Sequence, residues 1–357
     1  MLKNITQFQP DTDLLKHLVN IEKFQGVWEF TSFNQPTQLI KQLKHTTIIT
    51  SSGASTRIEG AILSDEEVEQ LINSGCIITK VSSRSEREVA GYVKALNFIY
   101  DHYSTLPVTE LTIRELHQLL TSELAEKHLP KKQRGVYKDI TNHVVERNAE
   151  TGEEKIWFQT TPAGSQTDSA MQILVSDFNE LDTQNNINKL ILIAGFIVHF
   201  LAIHPFRDGN GRLSRLITTW LLLRSGYQWS QYSSHEKIIE DNKERYYVAL
   251  RKTQKSFSHS KYQYNHWINL FFLTLEKQIQ FVEKQICHES FKTALNDNEM
   301  RVYDLINESG ICTTAFIRQH IDMTDNGLKS LLQRLVQRNI IDAIGKNRGR
   351  KYQIKQQ

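Results

Sequence analysis

Residues 204–215 read HPFRDGNGRLSR and stand between two of the most apolar stretches of the chain, KLILIAGFIVHFLAI and LITTWLLL. Charge set down between buried segments needs a partner, because an unpaired buried charge costs far more than a well-packed aliphatic gains. Gly209-Asn210-Gly211 disfavours helix, so a first helix should stop near Phe206 and a second begin near Gly211. A loop delivered to a helix N-terminus presents unpaired N–H groups at the positive end of the dipole, which suits an anion such as phosphate. Arg212 and Arg215, three apart, share one face of that helix and add two cations. Asp208 is placed to hold a metal ion bridging phosphate oxygens. His204 is the ordinary proton acceptor of the loop near neutral pH. The ligand implied is a polyphosphate with Mg²⁺, next to a base able to activate a hydroxyl. The alternative is a structural loop whose Arg and Asp pair with each other. There is no GxxxxGK[ST] motif, and GNGRLS lacks the third Gly and the preceding strand of a dinucleotide fingerprint.

A second stretch, STRIEG at 55–60, puts Ser55 and Glu59 one helical turn apart with Gly60 as a natural helix stop. A carboxylate at a helix C-terminus is opposed by the dipole unless a cation compensates it. Alone, it reads as an exposed turn with a solvated Glu.

The elements that must position these residues are mostly helical. Short amphipathic segments are expected over 11–45, then the Ser/Thr-rich TTIITSSGAST at 46–56. A capping box of Ser64 with Glu67 starts one helix, and Thr112 with Glu115 predicts another. Between them, 84–103 gathers Val89, Val93, Leu96, Phe98, Ile99 and Tyr103 near one face. HVVER and KIWFQ flank the turn-rich NAETGEE and predict a hairpin within 143–160, ended by Pro162 and Gly164. Helices are expected again near 167–182, 188–202, 211–225, 238–253 and 262–290. From 298, three short helices and two strands around a Gly-rich basic tip give the order of a winged helix-turn-helix.

His204 to Arg215 match every defined position of the H-x-F-x-[DE]-G-N-G-R-x-x-R motif, and on those residues the chain resembles the Fic family over roughly 55–255. The resemblance implies a mainly α fold: a Fic-type helical core with a small β-hairpin flap, here followed by the winged helix-turn-helix. It implies transfer of AMP from ATP to a Ser, Thr or Tyr hydroxyl of a target protein, although some relatives move other phosphate-containing groups. By position, His204 would be the base, Asp208 the Mg²⁺ ligand and Phe206 the loop's anchor in the core. Gly209, Asn210 and Gly211 would form the α-phosphate hole, and Arg212 and Arg215 would hold the outer phosphates. The segment DNKERYYVALRK resembles the family's adenosine-pocket helix, which nominates Asn242, Tyr246 and Tyr247. Ile156, Trp157, Phe158 and Gln159 fall in the flap that clamps a target by main-chain pairing. Lys138 stands where many relatives carry Arg. STRIEG matches the [ST]-x-x-x-E-[GN] inhibitory helix, which implies that Ser55 and Glu59 belong to a brake in which Glu59 pairs with Arg215.

The expected organisation is an N-terminal helical region, 1–83, with the inhibitory helix at about 50–60. A catalytic core over 84–290 follows, with its flap at 143–164, and then the winged helix over 298–357. Across 357 residues the net charge is +3, but residues 324–357 carry eight cations against two carboxylates, so the remainder is acidic. That basic end suits DNA or protein. Two other functions fit the same residues: an enzyme that also removes AMP using Glu59, or a DNA-binding regulator whose core senses nucleotide. Cys76, Cys287 and Cys312 match neither a zinc site nor a disulfide framework, which favours the cytoplasm. No signal peptide is expected, and the apolar run 190–203 is too short to span a bilayer. A homodimer is compatible with all of this.

Overall fold

The computed structural model describes residues 1–31, 35–147, 154–259, 262–293, 295–338, 340–345 and 349–355, with side chains omitted at 144–147, 154–155 and 288–293. The expected hairpin turn therefore lies almost wholly outside the described residues, as does most of the basic wing tip. Two compact units result, residues 1–282 and 283–357.

In the first unit, a 3₁₀ turn Leu2–Gln7 is followed by α1 (Thr12–Thr31), α2 (Thr37–Ile58), α3 (Asp65–Asn73), α4 (Arg84–His102) and α5 (Glu110–Thr121). The hairpin β1 (His143–Arg147) and β2 (Glu154–Gln159) comes next, then α6 (Ser165–Gln184), α7 (Lys189–Ile203) and α8 (Asn210–Arg224). The short α9 (His235–Glu240), α10 (Lys243–Lys255) and α11 (Asn265–Thr293), whose residues from 283 on belong to the second unit, complete the series. Every residue of α7 from Leu190 to Ile203 is buried, as is α8 from Arg212 to Leu223, so these two helices form the centre of the unit. The site loop is the link between them.

Several local expectations hold and several shift. Ser64 caps α3 in a reciprocal box with Glu67, and the hairpin strands pair antiparallel with a bulge at Val144/Val145. The second expected box does not form: Thr109 caps α5 by accepting from the Thr112 N–H, and the Thr112 hydroxyl is spent on the Pro107 carbonyl. The 238–253 helix is two helices, parted at Asp241-Asn242. The Ser/Thr-rich stretch is not a separate short helix but the last half of the 22-residue α2. Two of its hydroxyls are absorbed by the helix itself: Thr50 Oγ1 donates to the Thr46 carbonyl (3.0 Å) and Thr56 Oγ1 to that of Ser52 (2.9 Å). The stretch is also docked: Ser51 donates to the buried Glu236 (2.7 Å), and Arg57 holds Glu240 through Nε (2.6 Å).

Helices α4 and α5 touch closely at Gly91, where a Cβ would lie 2.1 Å from the Leu120 carbonyl oxygen. On an exposed helix Gly→Ala would gain about 1 kcal/mol. At this contact the sign reverses, and Gly91→Ala should lower stability by about 1–3 kcal/mol through overpacking, read as a drop in the urea midpoint. An unchanged midpoint would mean the two helices separate at no cost.

In the second unit, α12 (Asp297–Ser309), β3 (Cys312–Thr313), α13 (Thr314–His320), α14 (Asp325–Gln337), β4 (Ile341–Ile344) and β5 (Lys351–Ile354) follow one another. The sheet order is β3-β5-β4, antiparallel throughout. Val302, Ile306, Ile317, Leu328, Leu332 and Leu335 fill its core. Three helices and a hairpin thus stand in the order expected from sequence.

Candidate active site

Helix α7 ends at Ile203, close to the expected 188–202 and short of Phe206, because His204 takes the left-handed conformation (φ 54°, ψ 58°) that few non-Gly residues adopt. The loop that follows is pinned from inside. Phe206 is fully buried and stacked on His117, ring centroids 3.8 Å apart. The Gly135 N–H donates to His117 Nδ1 (2.9 Å), so Nε2 carries the proton given to the Asp208 carbonyl (3.0 Å). Asn210 also serves the loop: its side chain accepts from the Phe206 N–H (2.9 Å) and donates to the Phe206 carbonyl (2.7 Å). Its carboxamide is therefore committed to the main chain, which leaves the N–H groups at the start of α8 to meet an anion.

An anion is already there. A Cβ added to Gly211 would lie 2.2 Å from Glu59 Oε1, so the Glu59 carboxylate rests against the first turn of α8. Arg215, 2 % exposed, donates from Nη2 to Glu59 Oε1 (2.8 Å) and to the Ser55 carbonyl (2.9 Å), and from Nε to Ser55 Oγ (2.8 Å). Gly60, at φ +102°, closes α2 just beyond and lets the chain turn away. Arg212 has other company, pairing with the buried Glu88 (3.1 Å) and with Asp208 (3.0 Å), which also meets Arg84 (3.3 Å). The two arginines expected to act together thus have separate partners. Glu88 and His117 were missed in the sequence. Glu88 was legible in principle, since it falls in the apolar repeat of α4 one turn before Tyr92.

Glu59, Trp157, Phe158, His204, Gly211, Arg215, Tyr246 and Tyr247 line one cleft of about 770 Å³. Trp157 in β2 lies under the Arg251 guanidinium of α10, 4.4 Å from its centroid, so the hairpin leans on that helix. Ile156 and Gln159 are exposed, and the hairpin is a two-stranded sheet, so the outer edge of β2 has no strand partner among the described residues. Asn242 is not brought to this cleft. It precedes α10 with its side chain on the Ile238 carbonyl (2.8 Å) and lines a separate hollow with Arg245 and Lys277.

Electrostatics sort these groups into acids and bases. Burial would raise the pKa of Glu59, but Arg215, with Arg212 and His204, outweighs it and holds the carboxyl below its ordinary range. For Asp208, burial is likewise overcome by Arg212, the Gly209 N–H and Arg84. Burial and the nearby Lys138 lower His204 to about 4, so its imidazole is neutral at pH 7 and free to accept a proton. Burial also lowers His117 to about 4 and His199, bonded to Tyr264, to about 3. Each folded value lies below the unfolded one near 6.5. The stability these neutral rings hold is therefore complete above pH 6.5 and is lost as pH falls toward 4. The urea midpoint should be level between pH 8 and 7 and decline below 6.5, by up to about 1.4 kcal/mol per pH unit for each ring. A level profile down to pH 5 would exclude buried neutral histidines.

Asp208 is the carboxylate of the loop, and among the described residues no cluster of three or more His, Cys, Asp or Glu could hold a metal. That donor set fits Mg²⁺, which commonly takes one or two carboxylates and completes its shell with phosphate and water. In the second unit Glu299 binds Arg334 (3.2 Å) and Arg338 (3.1 Å), while Lys329 on α14 is exposed. No helix among the described residues is long and apolar enough to cross a membrane.

The site is thus a pinned loop on a helical scaffold, with Glu59 and Arg215 paired at the buried start of α8. Residues 107–222 match the model of the Fic/DOC family, so that stretch of the chain carries a Fic domain. Protein adenylyltransferase fic-1 of Caenorhabditis briggsae is 25% identical over 206 residues, which span 56% of this chain and 36% of that one. The chain thus matches little more than a third of this curated relative. A Fic family protein from Desulfovibrio desulfuricans superposes with a TM-score of 0.60 at 18% identity, covering 98% of both chains. A Fic domain containing signaling protein from Bacteroides thetaiotaomicron gives a TM-score of 0.61 at 22% identity, covering 75% of this chain and 98% of that one. These likenesses establish the Fic-type, mainly α fold.

Proposed function

We propose that this protein is an adenylyltransferase that moves AMP from ATP to a Ser, Thr or Tyr hydroxyl of a target protein and is held at rest by Glu59. The observation that carries the reading is the Glu59 carboxylate bound to Arg215 against the first turn of α8, in the cleft that also holds His204. A negatively charged group sits where a phosphate would bind, and it must leave before one can.

With Glu59 displaced, the N–H groups of 209–211 receive the α-phosphate, and Arg215 and Arg212 take the outer phosphates. Asp208 would hold Mg²⁺, which would offset phosphate charge. The neutral His204 accepts the proton of the target hydroxyl as its oxygen bonds to the α-phosphorus and pyrophosphate departs. Tyr246 and Tyr247 border the nucleoside. The target segment pairs along β2 at 156–159, with Trp157 fixed by Arg251.

The proposed organisation remains 1–83 with the brake in α2, 84–290 as catalytic core and 298–357 as an accessory domain. Glu299 pairs with Arg334 and Arg338 but offsets only one of their two charges, so that basic domain suits DNA or protein. The deciding experiment incubates wild type and Glu59→Gly with Mg²⁺ and either α-labelled or γ-labelled ATP. Protein-bound label from the α-position alone, strongest in Glu59→Gly, is expected. Label from the γ-position would replace AMP transfer with phosphoryl transfer.

A further inference from the structure

The feet of the hairpin and the residues flanking His204 meet at one buried amino group. Lys138 is 1 % exposed. Its ammonium donates to Asn142 Oδ1 (2.9 Å), Thr160 Oγ1 (2.8 Å) and the Ile203 carbonyl (3.1 Å), which accounts for all three of its protons. None of those acceptors is an anion, which is unusual for a lysine so deeply buried. They belong to three places: the approach to β1, the exit from β2 and the last residue of α7. The main chain repeats the pattern, with the Lys138 N–H on the Pro205 carbonyl (2.7 Å) and the Lys138 carbonyl accepting from Gly164 (3.4 Å). Asn142 extends it by donating to the Phe206 carbonyl (3.0 Å).

His204 lies between Ile203 and Pro205 in a left-handed conformation, which persists in a non-Gly residue only where its surroundings hold it. We propose that Lys138 is a positioning residue that holds His204 in this conformation and couples it to the hairpin, so that a docked target and its base are aligned together. The inference rests on the reading of His204 as base and β2 as docking edge. Lys138 also acts by charge. Burial is the larger cause of the low proton affinity of His204, Lys138 adds to it, and Glu59 from α2 and Asp208 from the loop oppose it. Arg215 from α8 and Lys243, Glu244 and Arg251 from α10 are the other charged groups around the cleft. Burial lowers Lys138 itself only to about 8, so it is a cation at pH 7.

Two readouts test the coupling. The first is the imidazole NMR titration of His204 from pH 8 to 3, in wild type, Lys138→Met and Lys138→Arg, and it needs no activity. Lys138→Met should begin to protonate about one unit higher than wild type, and Lys138→Arg should not. The second is transfer kinetics in the Glu59→Gly protein. There Lys138→Met should lower kcat about tenfold at little change in KM for ATP, and Lys138→Arg should restore it. Thr160→Val, which keeps the charge but frees one foot of the hairpin, should raise KM for the target several-fold and leave the titration in place. If Lys138→Met does not fold, Thr160→Val decides. An unmoved His204 titration in folded Lys138→Met, or an unmoved target KM in Thr160→Val, overturns the proposal. Absence of transfer in Glu59→Gly itself would instead remove the adenylyl-transfer reading, and the titration would still decide the coupling.

Discussion

Replacing His204 with Ala in the Glu59→Gly protein should cut label transfer by about 10²–10⁴-fold, the range expected when a positioned general base is lost. The direction follows from the ring's state. Burial and Lys138 keep the imidazole neutral at pH 7, so at rest it is already a proton acceptor. Nucleotide binding should survive, because the anion site is built from the start of α8 and from Arg215, not from the ring. The check is a paired measurement: transfer by α-label and ATP affinity by calorimetry, both in Glu59→Gly and in Glu59→Gly/His204→Ala. Lost transfer with retained affinity assigns the base. Lost affinity would assign His204 to nucleotide binding, and retained transfer would leave the chemistry without its proton acceptor. His204→Asn is a useful companion, since it keeps polarity and approximate size but does not accept a proton near neutral pH.

What the sequence disclosed about this site, and what it hid, divides along a physical line. The loop 204–215 stood out because its residues are costly where they stand: charge and Gly between two apolar helices need either an anion or, as Arg212 and Asp208 do, one another. From its own neighbours Glu59 was readable only as an oddity at a helix end, and its pairing with Arg215 was expected from the resemblance alone. Its contact with Arg215 joins residues 156 positions apart, and no local rule predicts such a contact. The same limit hid His117, and Glu88 showed only its place in the apolar repeat of α4, not its partner Arg212. His117 sits in α5 as an unremarkable polar residue, and its purpose is visible only when the ring stacks on Phe206 and bonds the Asp208 carbonyl.

Helix boundaries failed where side chains found unexpected acceptors. Thr112 looked like a cap, but its hydroxyl went to Pro107, and the preceding threonine pattern moved the start of α5 back to Glu110. The expected helix at about 50–60 began earlier, at Thr37, because a hydroxyl that returns to the carbonyl four residues earlier lets a helix carry the Ser/Thr run. Asn242 failed for another reason. It was nominated by likeness to a motif, and the break before α10 turned its side chain back onto Ile238.

Glu59→Gly should raise the rate of AMP transfer on the order of a hundredfold while lowering the stability of the nucleotide-free protein, and the pairing of those opposite signs is the strongest test of the brake. The rate rises because the carboxylate holds Arg215 and repels a phosphate from the start of α8. Stability falls because Arg215 is 2 % exposed and loses its only anionic partner among the described contacts. Removing one member of a buried pair commonly costs about 3–5 kcal/mol. The loss here should sit at the low end, since Ser55 keeps two hydrogen bonds to the guanidinium and the Glu59 side chain is itself one-third exposed to the cleft. ATP·Mg²⁺ supplies the missing anion, so nucleotide should raise the melting temperature of Glu59→Gly more than that of wild type. Glu59→Gln separates charge from bulk: it relieves repulsion but still fills the place beside Gly211, and its rate should fall between the other two. Equal transfer rates and equal nucleotide-induced shifts in wild type and Glu59→Gly would show that the ion pair is structural only. A raised rate without a destabilised resting state would mean that Arg215 finds another anion when Glu59 is gone.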